Sequence, residues 1–185
     1  MKLDILVFGA HPDDVELGCG GTLIKEIKAG KKVGIIDLTR GELGTRGTVD
    51  TRNSETKLAS EIMGVIVREN MDFKDGFFKD DEVHKLALIK KIRKYKPEIV
   101  ITNAVSDRHP DHGRGSQITV DSCFLSGLEK IDTGQQIWRP RAIYHYIQFN
   151  HLTPDLVVDI SEEMEAKLKA VKAYSTQFFN TCGKN

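Results

Sequence analysis

Apolar and polar positions follow two rhythms along this chain. Short, nearly continuous apolar runs rich in β-branched residues lie at Asp4–Phe8, Val33–Leu38, Val65–Val67, Glu98–Asn103, Ala142–Gln148 and Leu156–Ile160. They read as strands, most of them buried on both faces. Between them the apolar residues recur at helical spacing. One helix is expected over Leu17–Ala29, with Leu23, Ile24 and Ile27 on one side and Gly30 past its end. A second is capped by Asn53 or Ser54 and runs to Met63, where Gly64 stops it. A third opens at Asp81, carries Val83, Leu86, Leu88, Ile89 and Ile92, and ends before Pro97. Two more are expected near Ser116–Leu128 and from Ser161 to about Tyr174. This alternation predicts an α/β chain with a Rossmann-like three-layer α/β/α fold and a mostly parallel sheet. At 185 residues, with no repeat, low-complexity tract or linker, residues 1–185 are expected to form one domain.

Three polar segments break the rhythm, and each follows a strand. They are Gly9–Asp14, residues 39–52 with three glycines, and Ser106–Gly115. In a parallel sheet all strand C-termini share one edge, where open α/β sheets bind their ligands. Long loops at that edge are commonly functional.

Charge and cysteine content narrow the classes. Lys plus Arg and Asp plus Glu number 27 each, so no basic excess points to nucleic acid or an anionic membrane. No apolar run approaches a membrane span, and Met1-Lys2-Leu3-Asp4 lacks a signal-peptide core. Cys19, Cys123 and Cys182 are odd in number and far apart, and read as free thiols of a cytoplasmic protein.

The candidate chemistry sits in the first and third loops. His11-Pro12-Asp13-Asp14 places an imidazole and two carboxylates within four residues, and His109-Pro110-Asp111-His112 echoes it. His11 and Asp14 can converge on one metal ion, with His112 as third ligand and a position open for water. Two histidines and one carboxylate are typical of catalytic Zn2+, and the same set also serves non-haem Fe2+. Asp13 is then free to accept a proton from the activated water. His109, if protonated, stabilises a developing oxyanion or donates to the leaving group, and Asp111 is placed to orient its imidazole. The plainer alternative is an Asp-rich turn capping the next helix; it explains one Asp but not the cluster. A nucleotide-binding reading would use Gly18-Cys19-Gly20-Gly21 as a phosphate loop and Asp37 as a ribose acid. Those glycines fall inside a helical pattern, and Asp13 and Asp14 would repel a pyrophosphate. A metal-binding interaction protein without catalysis is the third reading, opposed by the presence of Asp13 and His109. His84, His145 and His151 read as solvated or packing residues.

Ala10-His11-Pro12-Asp13-Asp14-Val15-Glu16-Leu17-Gly18-Cys19-Gly20-Gly21 together with His109–His112 resembles the PIG-L/LmbE family of zinc-dependent N-deacetylases. Thr39–Thr48 is similar to the branch that deacetylates N-acetylglucosaminyl malate in bacillithiol biosynthesis. The resemblance runs from the N-terminus to about Phe178. It implies zinc on His11, Asp14 and His112, Asp13 as general base, and assistance from the charge of His109. It also implies a small amino-sugar substrate contacted by Arg52, which equally reads as a helix-start partner of Glu55. Arg46 and Arg108 lie in or beside the same loops, and guanidinium groups suit the two carboxylates of a malate aglycone. Family members continue for several dozen residues beyond the segment matching Tyr174–Phe178, whereas this chain reaches Asn185 through Thr181-Cys182-Gly183-Lys184. That extra segment walls the site and builds oligomer contacts, so a homo-oligomer is expected as far as the short C-terminus permits.

Overall fold

The computed structural model describes residues 1–179. Cys182 and the segment Thr181–Lys184 lie outside the described residues. Five strands, β1 (Ile5–Gly9), β2 (Val33–Thr39), β3 (Val67–Phe73), β4 (Ile99–Thr102) and β5 (Ala142–His145), form one sheet in the order β3-β2-β1-β4-β5. Every pairing is parallel. The helices are α1 (Asp14–Gly18), α2 (Gly20–Lys28), α3 (Val49–Met63), α4 (Glu82–Tyr95), α5 (Pro110–Leu125), α6 (Met164–Lys172) and α7 (Ser175–Phe178).

Side chains alternate across the central strand, so each face of the sheet needs its own cover. Leu6 and Phe8 of β1 pack with Ile36 and Leu38 of β2 against Leu88 and Ile92 of α4 and Ile118 of α5. Ile5 and Val7 point the other way, into Val15, Leu23, Ile24, Met63 and Ala170 from α1, α2, α3 and α6. The result is the expected three-layer α/β/α fold. Burying one such Leu or Ile completely is worth roughly 1.5–3 kcal/mol. Chain direction from β1 proceeds outward to β2 and β3 on one side, and later to β4 and β5 on the other. The crevice beyond β1 and β4 is therefore the switch point of the sheet.

Five expectations about elements need correction. The single helix expected over Leu17–Ala29 is two, α1 and α2, because Cys19 between them leaves the helical conformation at φ −136°. The stretch Leu156–Ile160 is not a strand; it carries no regular secondary structure, Leu156 and Val157 are exposed, and no strand pairs with it. The second expected helix starts earlier, at Val49, because Thr48 accepts from Thr51 N–H while Thr51 Oγ1 accepts from Thr48 N–H. The third strand is not Val65–Val67 but Val67–Phe73, sharing only Val67 with the expected run, and it carries polar residues because β3 is an edge strand with incomplete burial. The helix expected near Ser116, α5, begins at Pro110, with proline at the first helical position and His109 as the N-cap. Asp111 and His112 thus stand in a helical first turn and not in a loop.

Candidate active site

Three strand ends are tied together before the site begins. Ala10 N–H donates to Asn103 Oδ1 at 2.9 Å, and Thr39 Oγ1 donates to Ala10 O at 2.9 Å. This holds the residues after β1, β2 and β4 at one point on the sheet edge. From there Pro12 and Asp13 turn into α1. Asp13 has φ of 108°, in the left-handed region that a residue with a Cβ avoids at a cost of roughly 1–3 kcal/mol. It occupies the N-cap position of α1 yet makes no capping hydrogen bond. Its carboxylate instead lies 3.4 Å from the Arg52 guanidinium, so the helix-cap reading does not account for it.

Asp14 is buried and is the centre of the cluster. Its Oδ2 lies 3.5 Å from His11 Nδ1, and its Oδ1 lies 3.2 Å from His112 Nε2. Asn103 Nδ2 and Gln148 Nε2 donate to the same carboxylate at 3.1 and 2.9 Å. Burial opposes its charge, but the hydrogen bonds and charges of His11 and His112 hold its pKa well below the usual carboxylate range. The same contacts act on the imidazoles. Burial alone would lower the pKa of His11; hydrogen bonds to Asp111, Asp14 and Asp75 outweigh it and raise it well above the ordinary histidine value. His112 is likewise raised, its partners Asp14 and Asp107 prevailing over burial.

The rings of His11, His109 and His112 stand together, with centroids 4.7 Å apart for His11–His109 and 4.9 Å for His109–His112. Nitrogens from all three lie within 4.8 Å of one another, as do donor atoms of His11, Asp75 and Asp111. Buried imidazoles converging on a buried carboxylate fit a divalent cation well. His11, Asp14 and His112 could hold it, and so could the three imidazoles of His11, His109 and His112.

Asp13 differs from its neighbour. Burial and the adjacent Asp14 charge push its pKa up to about 8, with Arg52 acting against them. A carboxyl group in that range is a proton acceptor poised near neutral pH. His109 departs from expectation. Burial, followed by the charges of His11 and His112, lowers its pKa, and its Nδ1 accepts from Asp111 N–H at 3.3 Å at the start of α5. The metal-free site therefore favours a neutral imidazole with Nε2–H as donor, not the cation anticipated from sequence. Asp111 is also reassigned. Its carboxylate accepts from Gly76 N–H at 2.7 Å and from Arg114 at 2.6 Å, and it lies 3.4 Å from His11 Nε2, so it does not orient the His109 ring.

The arginines separate. Arg52 is buried and donates to Pro12 O at 2.8 Å as well as facing Asp13; its pairing with Glu55 is not made. Glu55 instead accepts from Ser175 and Thr176. Arg46 is exposed and donates to Gln177 O at 3.2 Å. Arg108 is exposed, with its guanidinium 4.3 Å from the centre of the Phe149 ring. Gly18 and Gly21 are packing residues, and Gly20 stands between them in the first turn of α2. A Cβ on Gly18 would collide with the Tyr146 ring, and one on Gly21 with Ile160, so they form no phosphate loop. Sequence reasoning missed Asp75, Asn103, Asp107 and Gln148. Asp107 alone carried a local signal, two residues before the second histidine motif.

Comparison with known proteins decides what this cluster belongs to. Residues 6–123 match the model of the PIG-L family, described as GlcNAc-PI de-N-acetylase. The chain belongs to the PIG-L family. Among PIG-L relatives, the diacetylchitobiose deacetylase of Thermococcus kodakarensis is 31% identical over 94% of this chain and 70% of its own length. A probable N-acetyl-alpha-D-glucosaminyl L-malate deacetylase 2 of Bacillus subtilis is 28% identical over 96% of this chain and 84% of its own. The crystal structure of a conserved protein of Thermus thermophilus superposes with a TM-score of 0.92 at 39% identity, covering 95% of this chain and 80% of that one. The PIG-L match spans both histidine motifs. Among the described residues no helix is long and apolar enough to cross a membrane.

Proposed function

We propose that this PIG-L protein is a metal-dependent N-deacetylase acting on an N-acetylglucosamine-containing small molecule. The observation that carries the reading is the division of labour between adjacent carboxylates. Asp14 is held ionised between two imidazoles, while Asp13, one residue earlier, is pushed up to about 8. Pairs of acids driven apart in this way mark distinct roles. A divalent cation bound by His11, Asp14 and His112, Zn2+ or alternatively Fe2+, would polarise the acetamide carbonyl and acidify water. Asp13 takes the proton from the attacking water and carries it to the amine nitrogen as the C–N bond breaks, leaving acetate and a free amine. His109, as a neutral donor, hydrogen-bonds the oxygen on which charge develops.

The finer substrate reading is an amino-sugar with an anionic aglycone, of the N-acetylglucosaminyl malate type used in bacillithiol biosynthesis. Its support is the exposed cationic pair Arg46 and Arg108 in the loops around the site. The likeness to a chitobiose deacetylase favours a neutral disaccharide as the second reading. Acetate release from N-acetylglucosaminyl malate, N,N'-diacetylchitobiose and N-acetylglucosamine, on zinc-reconstituted protein, separates them. The malate conjugate should give the highest kcat/KM, with an advantage that shrinks as salt is added. A preference for diacetylchitobiose that salt leaves unchanged would replace the anionic reading, and no acetate from any of the three would remove the activity itself.

A further inference from the structure

Each histidine that touches Asp14 has its other ring nitrogen on a second carboxylate. His112 Nδ1 lies 3.1 Å from Asp107 Oδ2, and His11 Nε2 lies 3.0 Å from Asp75 Oδ1. Asp107 is a near neighbour of His112 in sequence. Asp75 is not near His11; it comes from the turn after β3 and is buried. Its second oxygen is also engaged, accepting from Leu43 N–H at 2.9 Å, and its own N–H donates to Glu42 Oε1 at 2.8 Å. One side chain thus joins the glycine-bearing loop after β2 to the ring of His11. Asp111 also approaches His11 Nε2, at 3.4 Å, but its oxygens already accept from Gly76 N–H and Arg114.

We propose that Asp75 is a positioning residue that fixes the tautomer and tilt of His11 and couples the residue 42–43 loop to the metal site. The inference rests on the metal reading above. An ionised carboxylate is acceptor-only, so Asp75 satisfies two donors at once, Leu43 N–H and His11 Nε2–H. With a cation bound in place of the Nδ1 proton, that would leave Nδ1 of His11, the nitrogen facing Asp14, free to be the ligand. An asparagine cannot serve both neighbours. With its oxygen on Leu43, its NH2 faces His11 and selects the Nδ1–H tautomer, which cannot bind metal through that nitrogen. With its oxygen on His11, its NH2 opposes the Leu43 N–H and the loop is released.

The test is zinc affinity by competition with a chromogenic chelator on the full chain, for wild type, Asp75→Asn and Asp111→Asn. Asp75→Asn should weaken zinc binding about ten- to a hundredfold, and Asp111→Asn should weaken it less. Long-range 1H–15N spectra of zinc-loaded wild type should show the His11 proton on Nε2 and coordination through Nδ1. Affinity within about twofold of wild type in folded Asp75→Asn overturns the assignment. So does coordination of wild-type His11 through Nε2, which can be read even if the variant does not fold. Wild type that binds no zinc would remove the metal reading and this inference with it, whereas an unaltered variant beside a zinc-binding wild type removes this inference alone.

Discussion

At the scale of the residue, Asp13 and Asp14 share a backbone and little else. Asp14 receives four hydrogen-bonding or charged partners, while Asp13 faces one guanidinium and has φ of 108°. The raised pKa of Asp13 is also a statement about stability. The folded protein holds the proton up to about pH 8 and the unfolded chain releases it near 3.8, so the folded state binds more protons between these values. Stability due to Asp13 therefore falls as pH rises through that window. Replacing Asp13 with Asn should raise the Tm of chelator-treated protein at pH 8, by at least about 1 kcal/mol or roughly 2–4 °C. The same variant should keep zinc but lose on the order of a hundred- to ten-thousandfold in kcat, because an amide cannot take the proton. Differential scanning fluorimetry beside steady-state acetate release measures both. A less stable Asp13→Asn apoprotein would contradict the argument.

At the scale of the element, the start of α3 is where sequence reasoning and structure parted most usefully. Arg52 stood as a substrate contact or a partner of Glu55. Folded, its guanidinium is buried on Pro12 O and Asp13, bracing the site from behind. Its charge lowers the Asp13 pKa, so Arg52→Ala should raise that pKa. The acid limb of kcat/KM should then move to higher pH, with a stability loss of about 1.5–3 kcal/mol from the lost charged hydrogen bonds. An unmoved limb with lowered affinity for the malate conjugate would return Arg52 to the substrate. The histidine motifs were legible because each is compact and follows an apolar strand. Asp75 and Gln148 were not, because they reach the site through sheet order and loop packing across many residues, with no local spacing to mark them. The start of α5 was misplaced for a related reason. Pro110 reads as a breaker but serves at the first helical position, which brings Asp111 and His112 into one helical turn. Leu156–Ile160 has the composition of a strand but no neighbour in the sheet to pair with.

At the scale of the whole molecule, the sheet edge β3 is pinned to α4 by Glu69, which pairs with Lys91 and Lys94 and accepts from Tyr95. Burial opposes its charge, yet those partners lower its pKa from 4.5 to about 2. A depressed acid contributes stability that is present above the unfolded value and lost as pH falls toward the folded one. Glu69→Gln should therefore lower Tm near neutral pH by roughly 2–4 °C, about 1 kcal/mol for a partly exposed cluster. The gap should close as pH falls from 4.5 toward 2. A constant gap across that range would show packing, not charge, to be responsible.

The proposed reaction depends most on a metal held between β1 and β4 at the switch point of the sheet, beside a separate proton acceptor. The most direct measurement is acetate release from an N-acetylglucosamine substrate by chelator-treated protein as Zn2+ is titrated back. Activity should be absent without metal and rise to a plateau at one equivalent, and Asp14→Ala and His112→Ala should show neither tight zinc binding nor recovery. Full activity in metal-free protein, or normal zinc-dependent activity in either variant, would contradict it.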